Sequence, residues 1–200
     1  MFKMILKPEN KTDKKISDKI VFDIETINWI EPYAVGMYEK GNFKLFEGKN
    51  CIEEFLKEFL TKKNRGKIAY AHNGGKFDFS FLLNLLFDKK YNEIFSIEPL
   101  RIGSRIAQIK IYRLSKYTKG KNKGKTRKQN FWILRDSFSL LSSSLKKLCE
   151  NFNVPTQKGE FEHNKINWKN WKKLKSEWYP YLKADCIGLY EVLEEFEKFT

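Results

Sequence analysis

From Val21 to Ile30 the chain reads VFDIETINWI. Val21, Phe22 and Ile24 put apolar character on both sides of an alternating segment, the pattern of an interior strand. The same repeat of two points Asp23 and Glu25 to one face. Two β-rich runs follow, YAVGMYE (33–39) and NFKLFEG (42–48), separated by Lys40 and Gly41, which predicts a meander. In CIEEFLKEFLTKK (51–63), Ile52, Phe55, Leu56, Phe59 and Leu60 fall at helical spacing and lysines close the end. KIAYAHN (67–73) predicts another buried strand, ended by the turn NGGK and followed by an apolar helix from Phe77. Residues 94–114 and 131–138 predict more strands, and SSSLKKLCENF (142–152) a helix with a serine cap. After a basic, tryptophan-bearing stretch (166–180), YLKADCIGLYEVLEEFEKF (181–199) predicts the last helix. This order of strands and helices indicates one α/β layered domain over residues 1–200, with no internal repeat.

Composition narrows the partner more than the fold. Forty-one per cent hydrophobic and 16% aromatic residues suffice for a real core in 200 residues. Lys and Arg number 39 against 25 Asp and Glu, a formal charge of +14, which favours a polyanionic partner such as nucleic acid. The segment SKYTKGKNKGKTRKQN (115–130) holds seven basic residues and no acid, and its glycines mark a flexible tip. It suits either a solvated loop or an electrostatic arm on a phosphate backbone. Cys51, Cys149 and Cys186 are odd in number and widely spaced, so neither a disulfide framework nor a zinc site is suggested, and a reducing compartment fits. The N-terminal stretch MFKMILKPENKTDKK lacks the features of a signal or transit peptide, and the apolar run 77–87 is too short to span a bilayer. No membrane partner is expected.

Asp23 and Glu25 on a strand whose neighbours are apolar stand in expensive surroundings, although the alternation alone also suits a solvated face. Asp78 opens an otherwise apolar helix, where the helix dipole by itself favours an acid. Asp185 interrupts the apolar surface of the last helix, with Tyr181 one turn before it on the same face. Four acids on one strand and two helices, if the fold gathers them, would repel one another without cations. Their oxygen donors select hard divalent ions, so two Mg²⁺ or Mn²⁺ ions are the natural guests, arranged as a clamp for phosphodiester cleavage.

The segments DIET, HNGGKFD and YLKAD, in this order, resemble the three exonuclease motifs of family-B DNA polymerases, in the tyrosine form of the DEDD 3′–5′ exonucleases. The stretch YAHNGGKFDFSFLL is especially similar to protein-primed polymerases of phages and linear organellar plasmids. The resemblance spans about residues 18–198. It implies a ribonuclease H-like α/β exonuclease domain, with a mixed central sheet flanked by helices and a basic β-hairpin insertion. It makes Asp23, Glu25, Asp78 and Asp185 the metal-binding catalytic acids and gives Tyr181 the task of orienting the attacking water. Thr26, His72, Asn73 and Phe77 match positions that contact the 3′ end of single-stranded DNA. Ser144 and Leu145, in SLKKL, match a strand-binding motif, and Lys158 matches a lysine near the scissile phosphate. The histidine form would need a His where Pro180 stands.

The function so implied is a metal-dependent 3′–5′ exonuclease on single-stranded nucleic acid, DNA favoured over RNA, releasing 5′-nucleoside monophosphates. These 200 residues carry none of the palm, fingers and thumb motifs of synthesis, so no polymerase activity is expected of them. The alternative is a nucleic-acid-binding subunit of a larger assembly, such as a polymerase complex or a mitochondrial ribonucleoprotein. A Lys-, Asn-, Ile- and Phe-rich composition suits a mitochondrial product, encoded by an organelle or plasmid, with a viral or cytoplasmic origin as the other readings.

Overall fold

The structure, a computed structural model, describes residues 18–199. The N-terminal stretch read above for targeting signals lies outside them. Seven strands form one mixed sheet: β1 (Lys19–Ile27), β2 (Glu31–Glu39), β3 (Asn42–Glu47), β4 (Ile68–Ala71), β5 (Phe95–Ile102), β6 (Arg105–Lys116) and β7 (Thr126–Asp136). Their spatial order is β3-β2-β1-β4-β7-β6-β5. β1, β4 and β7 run parallel at the centre, and the other neighbouring pairs are antiparallel.

Two helical layers cover the sheet, and β1 divides its side chains between them. Ile20, Phe22 and Ile24 join α1 (Cys51–Phe59) and α2 (Asp78–Leu86) in one core, completed by Trp132 and Leu134 of β7. Val21 and Ile27 join α4 (Leu145–Asn151) and α5 (Lys175–Glu197) in the other. A one-turn helix, α3 (Lys89–Asn92), leads into β5. α5 lies close on the sheet because Gly36 of β2 carries no side chain. A Cβ there would stand 2.9 Å from Cys186 Sγ and 3.1 Å from Leu182. The three cysteines are buried free thiols. No helix of the described residues is long and apolar enough to cross a membrane.

Several boundaries differ from those predicted, and β1 stops at Ile27, short of Ile30. α1 ends at Phe59, where the chain turns so that the Thr61 carbonyl accepts from Trp132 Nε1 at 2.9 Å. The basic segment 115–130 is less of a free tip than expected, since β6 runs to Lys116 and β7 starts at Thr126. Tyr117 and Gly124 close the tip, with the Gly124 N–H donating to the Tyr117 carbonyl at 2.9 Å. The last helix begins at Lys175 rather than Tyr181 and carries Pro180 inside it. Proline removes one helical hydrogen bond, but here it faces solvent. Trp178 anchors the first turns by donating Nε1–H to the Trp171 carbonyl at 2.6 Å.

Candidate active site

The carboxyl ends of β1, β4 and β7 meet at one edge of the sheet, the place where an open α/β sheet offers a ligand crevice. β1 pairs with β4 only as far as Val21, opposite Tyr70. Beyond that point the Ile24 N–H donates instead to Asp78 Oδ1, at 3.2 Å. This contact draws the first residue of α2 up to the strand carrying Asp23 and Glu25. The register shifts just past the acids: Glu25 pairs with Ala34 and Thr26 with Pro32, so Tyr33 is an extra residue on β2, a bulge beside the site. From the other layer α5 brings Tyr181 and Asp185, one turn apart. The expected residues thus converge on a single cavity of about 500 Å³: Asp23, Glu25, Thr26, His72, Asn73, Phe77, Asp78, Ser144, Leu145, Lys158, Tyr181 and Asp185 all line it.

The loop between β4 and α2 is held from several sides. Asn73 adopts a left-handed backbone, φ 62°. Gly75 approaches β6 so closely that a Cβ would lie 2.3 Å from the Ile106 carbonyl oxygen, and its own carbonyl accepts from the Ile106 N–H at 3.2 Å. Arg105 donates to Asn73 Oδ1 at 2.6 Å and to the fully buried Asp136 at 2.7 Å, with its guanidinium 4.2 Å from the centre of the Phe138 ring. Both ring nitrogens of His72 are engaged, Nδ1 with the Ser137 hydroxyl at 3.0 Å and Nε2 with the Ser143 carbonyl at 2.8 Å. Burial lowers the His72 pKa, which favours a neutral ring that ties β4 to the segment after β7. Ser144 caps α4, its hydroxyl accepting from the Lys147 N–H at 3.4 Å.

Electrostatically the site is a negative pocket with one embedded cation. Burial, reinforced by the charges of Asp78, Asp185 and Glu25, holds the Asp23 carboxyl well above its usual range. Asp78 is pushed up to about 7 by burial, against the pull of its backbone hydrogen bonds. Burial likewise raises Asp185, although Lys158 is ion-paired to it. Burial disfavours the charged Lys158, yet Asp185, Tyr181 and Asp23 outweigh it and keep the ammonium protonated. Its Nζ lies 4.8 Å over the Tyr181 ring. Tyr181 itself is raised by burial and by Asp185, so it remains a neutral phenol.

Sequence reading passed over several residues of this site. His163 Nδ1 stands 3.3 Å from Glu25 Oε2, and its ring meets that of Tyr181 edge-on at 5.4 Å. Trp29 and Phe138 also line the cavity. Asp136 left a usable trace: Trp132, Leu134 and Asp136 alternate on the buried face of β7, which places an acid where a hydrophobe is expected. Nothing in the sequence pairs Arg105 with it.

The donor set fits hard divalent cations. Asp185 Oδ1, which faces the cavity, is buried and finds no hydrogen-bond partner among the described residues. Four carboxylates facing one cavity are oxygen ligands short of positive charge. Among the described residues no three of these groups stand together as a ready-made metal cage, so the fit is one of donor chemistry.

The family model described as DNA polymerase type B, organellar and viral, matches residues 59–173. The chain belongs to this family. The match takes in the HNGGKFD loop, the basic hairpin and Lys158. Over 192 residues, 93% of this chain, it is 28% identical to the DNA-directed DNA polymerase of Enterobacteria phage PRD1, and it spans 28% of that protein's length. Phi29 DNA polymerase complexed with single-stranded DNA superposes with a TM-score of 0.68 at 23% identity, over 91% of this chain and 32% of that one. Phi29 DNA polymerase complexed with primer-template DNA gives 0.65, again at 23% identity and with the same coverage. The fold is therefore the mixed-sheet, ribonuclease H-like layout that the motifs implied.

Proposed function

We propose that this exonuclease-like domain of a type B polymerase hydrolyses single-stranded nucleic acid from its 3′ end, releasing 5′-nucleoside monophosphates, with DNA the favoured substrate. One observation carries the reading: Asp23, Glu25, Asp78, Asp185 and Tyr181, from one strand and two helices, line a single cavity that also holds a lysine. Two Mg²⁺ or Mn²⁺ ions held by the four carboxylates would stabilise the developing phosphate charge and lower the pKa of the attacking water. The neutral Tyr181 hydroxyl positions that water. Lys158, held protonated beside Asp185, would offer its ammonium to the scissile phosphate, and Asp185 would then be free to hold a cation. Phe77, 47% exposed at the start of α2, and Thr26 flank the terminal nucleoside. Asn73, oriented through Arg105, offers its amide to the same nucleoside. The water oxygen attacks phosphorus and gives up a proton to solvent, the bond from phosphorus to the 3′ oxygen breaks, and that oxygen takes a proton from solvent and leaves as the new 3′-hydroxyl.

The test is a timed digestion of a 5′-labelled single-stranded DNA and its RNA counterpart, with Mg²⁺ or EDTA, by the wild type and by Asp23→Ala. A metal-dependent ladder shortening from the 3′ end, lost in the variant, is the expected result, and the faster strand names the sugar preference. Strands that shift in a gel yet stay intact with Mg²⁺ would replace the enzyme with a binding subunit of a polymerase or ribonucleoprotein assembly. The mitochondrial setting belongs to this same proposal and would be checked by locating the native protein in fractionated cells.

A further inference from the structure

The two helical layers do not cover the sheet equally. The core beneath α4 and α5 takes residues from β1, β2, β3 and β4, but none from β5, β6 or β7. Among the described residues, that side of the last three strands is open. Strand pairing lays its side chains out in rows: Leu100, Gln108 and Arg135; then Glu98, Lys110 and Ile133; then Ser96, Tyr112 and Phe131. The opposite side of the same strands, with Ile109, Ile111, Trp132 and Leu134, is buried in the first core.

The solvent side of an antiparallel sheet is normally polar. Here it carries a cross-strand pair of rings, Tyr112 and Phe131, with centroids 6.2 Å apart and Phe131 37% exposed. Cations surround them. Lys110 Nζ lies 5.1 Å from the Tyr112 ring centre and 4.9 Å from that of Phe131, and Lys128 Nζ lies 5.4 Å from Tyr112. Arg135 donates to Gln108 Oε1 at 2.8 Å and stands 5.9 Å from the Tyr70 ring. The acid in these rows, Glu98, sits opposite Lys110 in the strand pairing but reaches Lys128 instead. Lys110 and Arg135 are thus left as surplus positive charge.

We propose that this open side of β5, β6 and β7 is a second binding surface for single-stranded nucleic acid, separate from the acid cavity. Bases stack on Tyr112 and Phe131, while Lys110, Lys128 and Arg135 meet the phosphates. Rings set among cations suit such a strand, because every base offers a π face and every linkage a negative charge. An arriving strand exchanges the lysine–ring contacts for base stacks and leaves the ammonium groups to its phosphates. From Arg135 to Phe131 the rows span about 13 Å, room for about two nucleotides. A protein partner fits less well, since it would have to bury Lys110 and Arg135 against acids of its own. The surface stands independently of the exonuclease reading, and none of its residues lines the acid cavity.

The experiment uses a probe without a 3′ end, a circular single-stranded oligothymidylate carrying an internal fluorescein. It cannot place a terminal nucleotide among the acids, but it can lie across the open rows. Its binding to the full chain is titrated by anisotropy in EDTA, for the wild type, the double variant Tyr112→Leu with Phe131→Leu, Tyr112→Phe, and Lys110→Gln. The double variant is expected to bind about tenfold more weakly, or worse, as each base stack on an aromatic ring is worth about a factor of ten. Tyr112→Phe should keep most of the affinity, and Lys110→Gln should flatten the logarithmic salt slope by about 0.7. Thermal melts show which variants fold, and Lys110→Gln tests the surface without touching a ring. A circle that the wild type does not bind, or that the double variant and Lys110→Gln bind as the wild type does, overturns the surface. So does a wild-type dimer in sedimentation that the double variant dissociates with no change in affinity for the circle, a result that makes these rows a protein interface.

Discussion

Like charges are handled in opposite ways at the two ends of the central strands. At the carboxyl ends of β1, β4 and β7, acids from three elements are buried together. Their pKa values rise and one lysine is drawn in against them. Along the β6–β7 hairpin, lysines and arginines are spread into water and rest on aromatic faces. Lys110 lies 4.9 Å from the Phe131 ring centre and 5.1 Å from Tyr112, and Arg127 lies 5.0 Å from Tyr117. The first arrangement gives up folding stability for a concentrated negative field, which suits the divalent ions proposed above. The second costs the fold little and acts at longer range, subject to salt. The contrast is between preorganised charge and solvated charge.

The largest effect should come from the acid cluster. Asp23→Asn is expected to lower the cleavage rate about a thousandfold or more, because metal-ion stabilisation is worth several kcal/mol. The same change should raise the metal-free melting temperature by relieving repulsion among Asp23, Asp78 and Asp185. A variant that loses activity and stability together would count against the preorganised-charge account.

Next in size is the fully buried Asp136, paired with Arg105. Arg105→Ala leaves Asp136 buried and unpaired, an expected loss of about 3–5 kcal/mol of stability in urea unfolding. It also frees Asn73, so the Michaelis constant for the strand should rise more than the turnover number falls.

A smaller effect follows from pH. Asp78, about 7 when folded against an ordinary 3.8, holds its proton in the folded state over the interval between them. Its stabilising contribution is complete below the ordinary value and is lost as pH rises through about 7. Asp23 and Asp185 shift in the same direction. The metal-free protein should therefore melt at progressively lower temperature from about pH 5 to about pH 8, and Asp78→Asn should flatten that slope. A melting temperature that climbs with pH would contradict the burial of these acids.

The smallest structural effect belongs to the hairpin. Replacing Lys119, Lys121, Lys123 and Lys125 with serine should change stability by less than about 0.5 kcal/mol. If the hairpin touches the strand, the salt dependence of binding flattens by about 0.7 in logarithmic slope for each phosphate the lysines no longer neutralise. An unchanged slope returns the hairpin to a solvated loop.

How much of this was legible in the sequence depends on the range of the interactions involved. Strand alternation placed Asp23 and Glu25 on one face, and helical spacing placed Tyr181 one turn before Asp185, because both patterns are local repeats of the backbone. Three ordered motifs then identified the family and offered the candidate acid set. Local rules misjudged the ends of elements. Pro180 reads as a boundary, but the buried Trp178 holds the helix through it, and cross-strand pairing carries β6 and β7 into a segment that composition marks as loop.

The sequence by itself therefore determined the layered α/β class, the candidate acids and the excess of positive charge, since each is written in neighbouring residues or in a sum over them. Only the tertiary structure decided that Asp78 reaches the Ile24 amide and that Lys158 pairs with Asp185. Only there do Arg105 join Asn73 to Asp136 and Tyr112 meet Phe131 on the open side of the sheet. Each of these contacts joins residues far apart in the chain or on different elements. Its energy depends on burial and distance, and no local pattern records either.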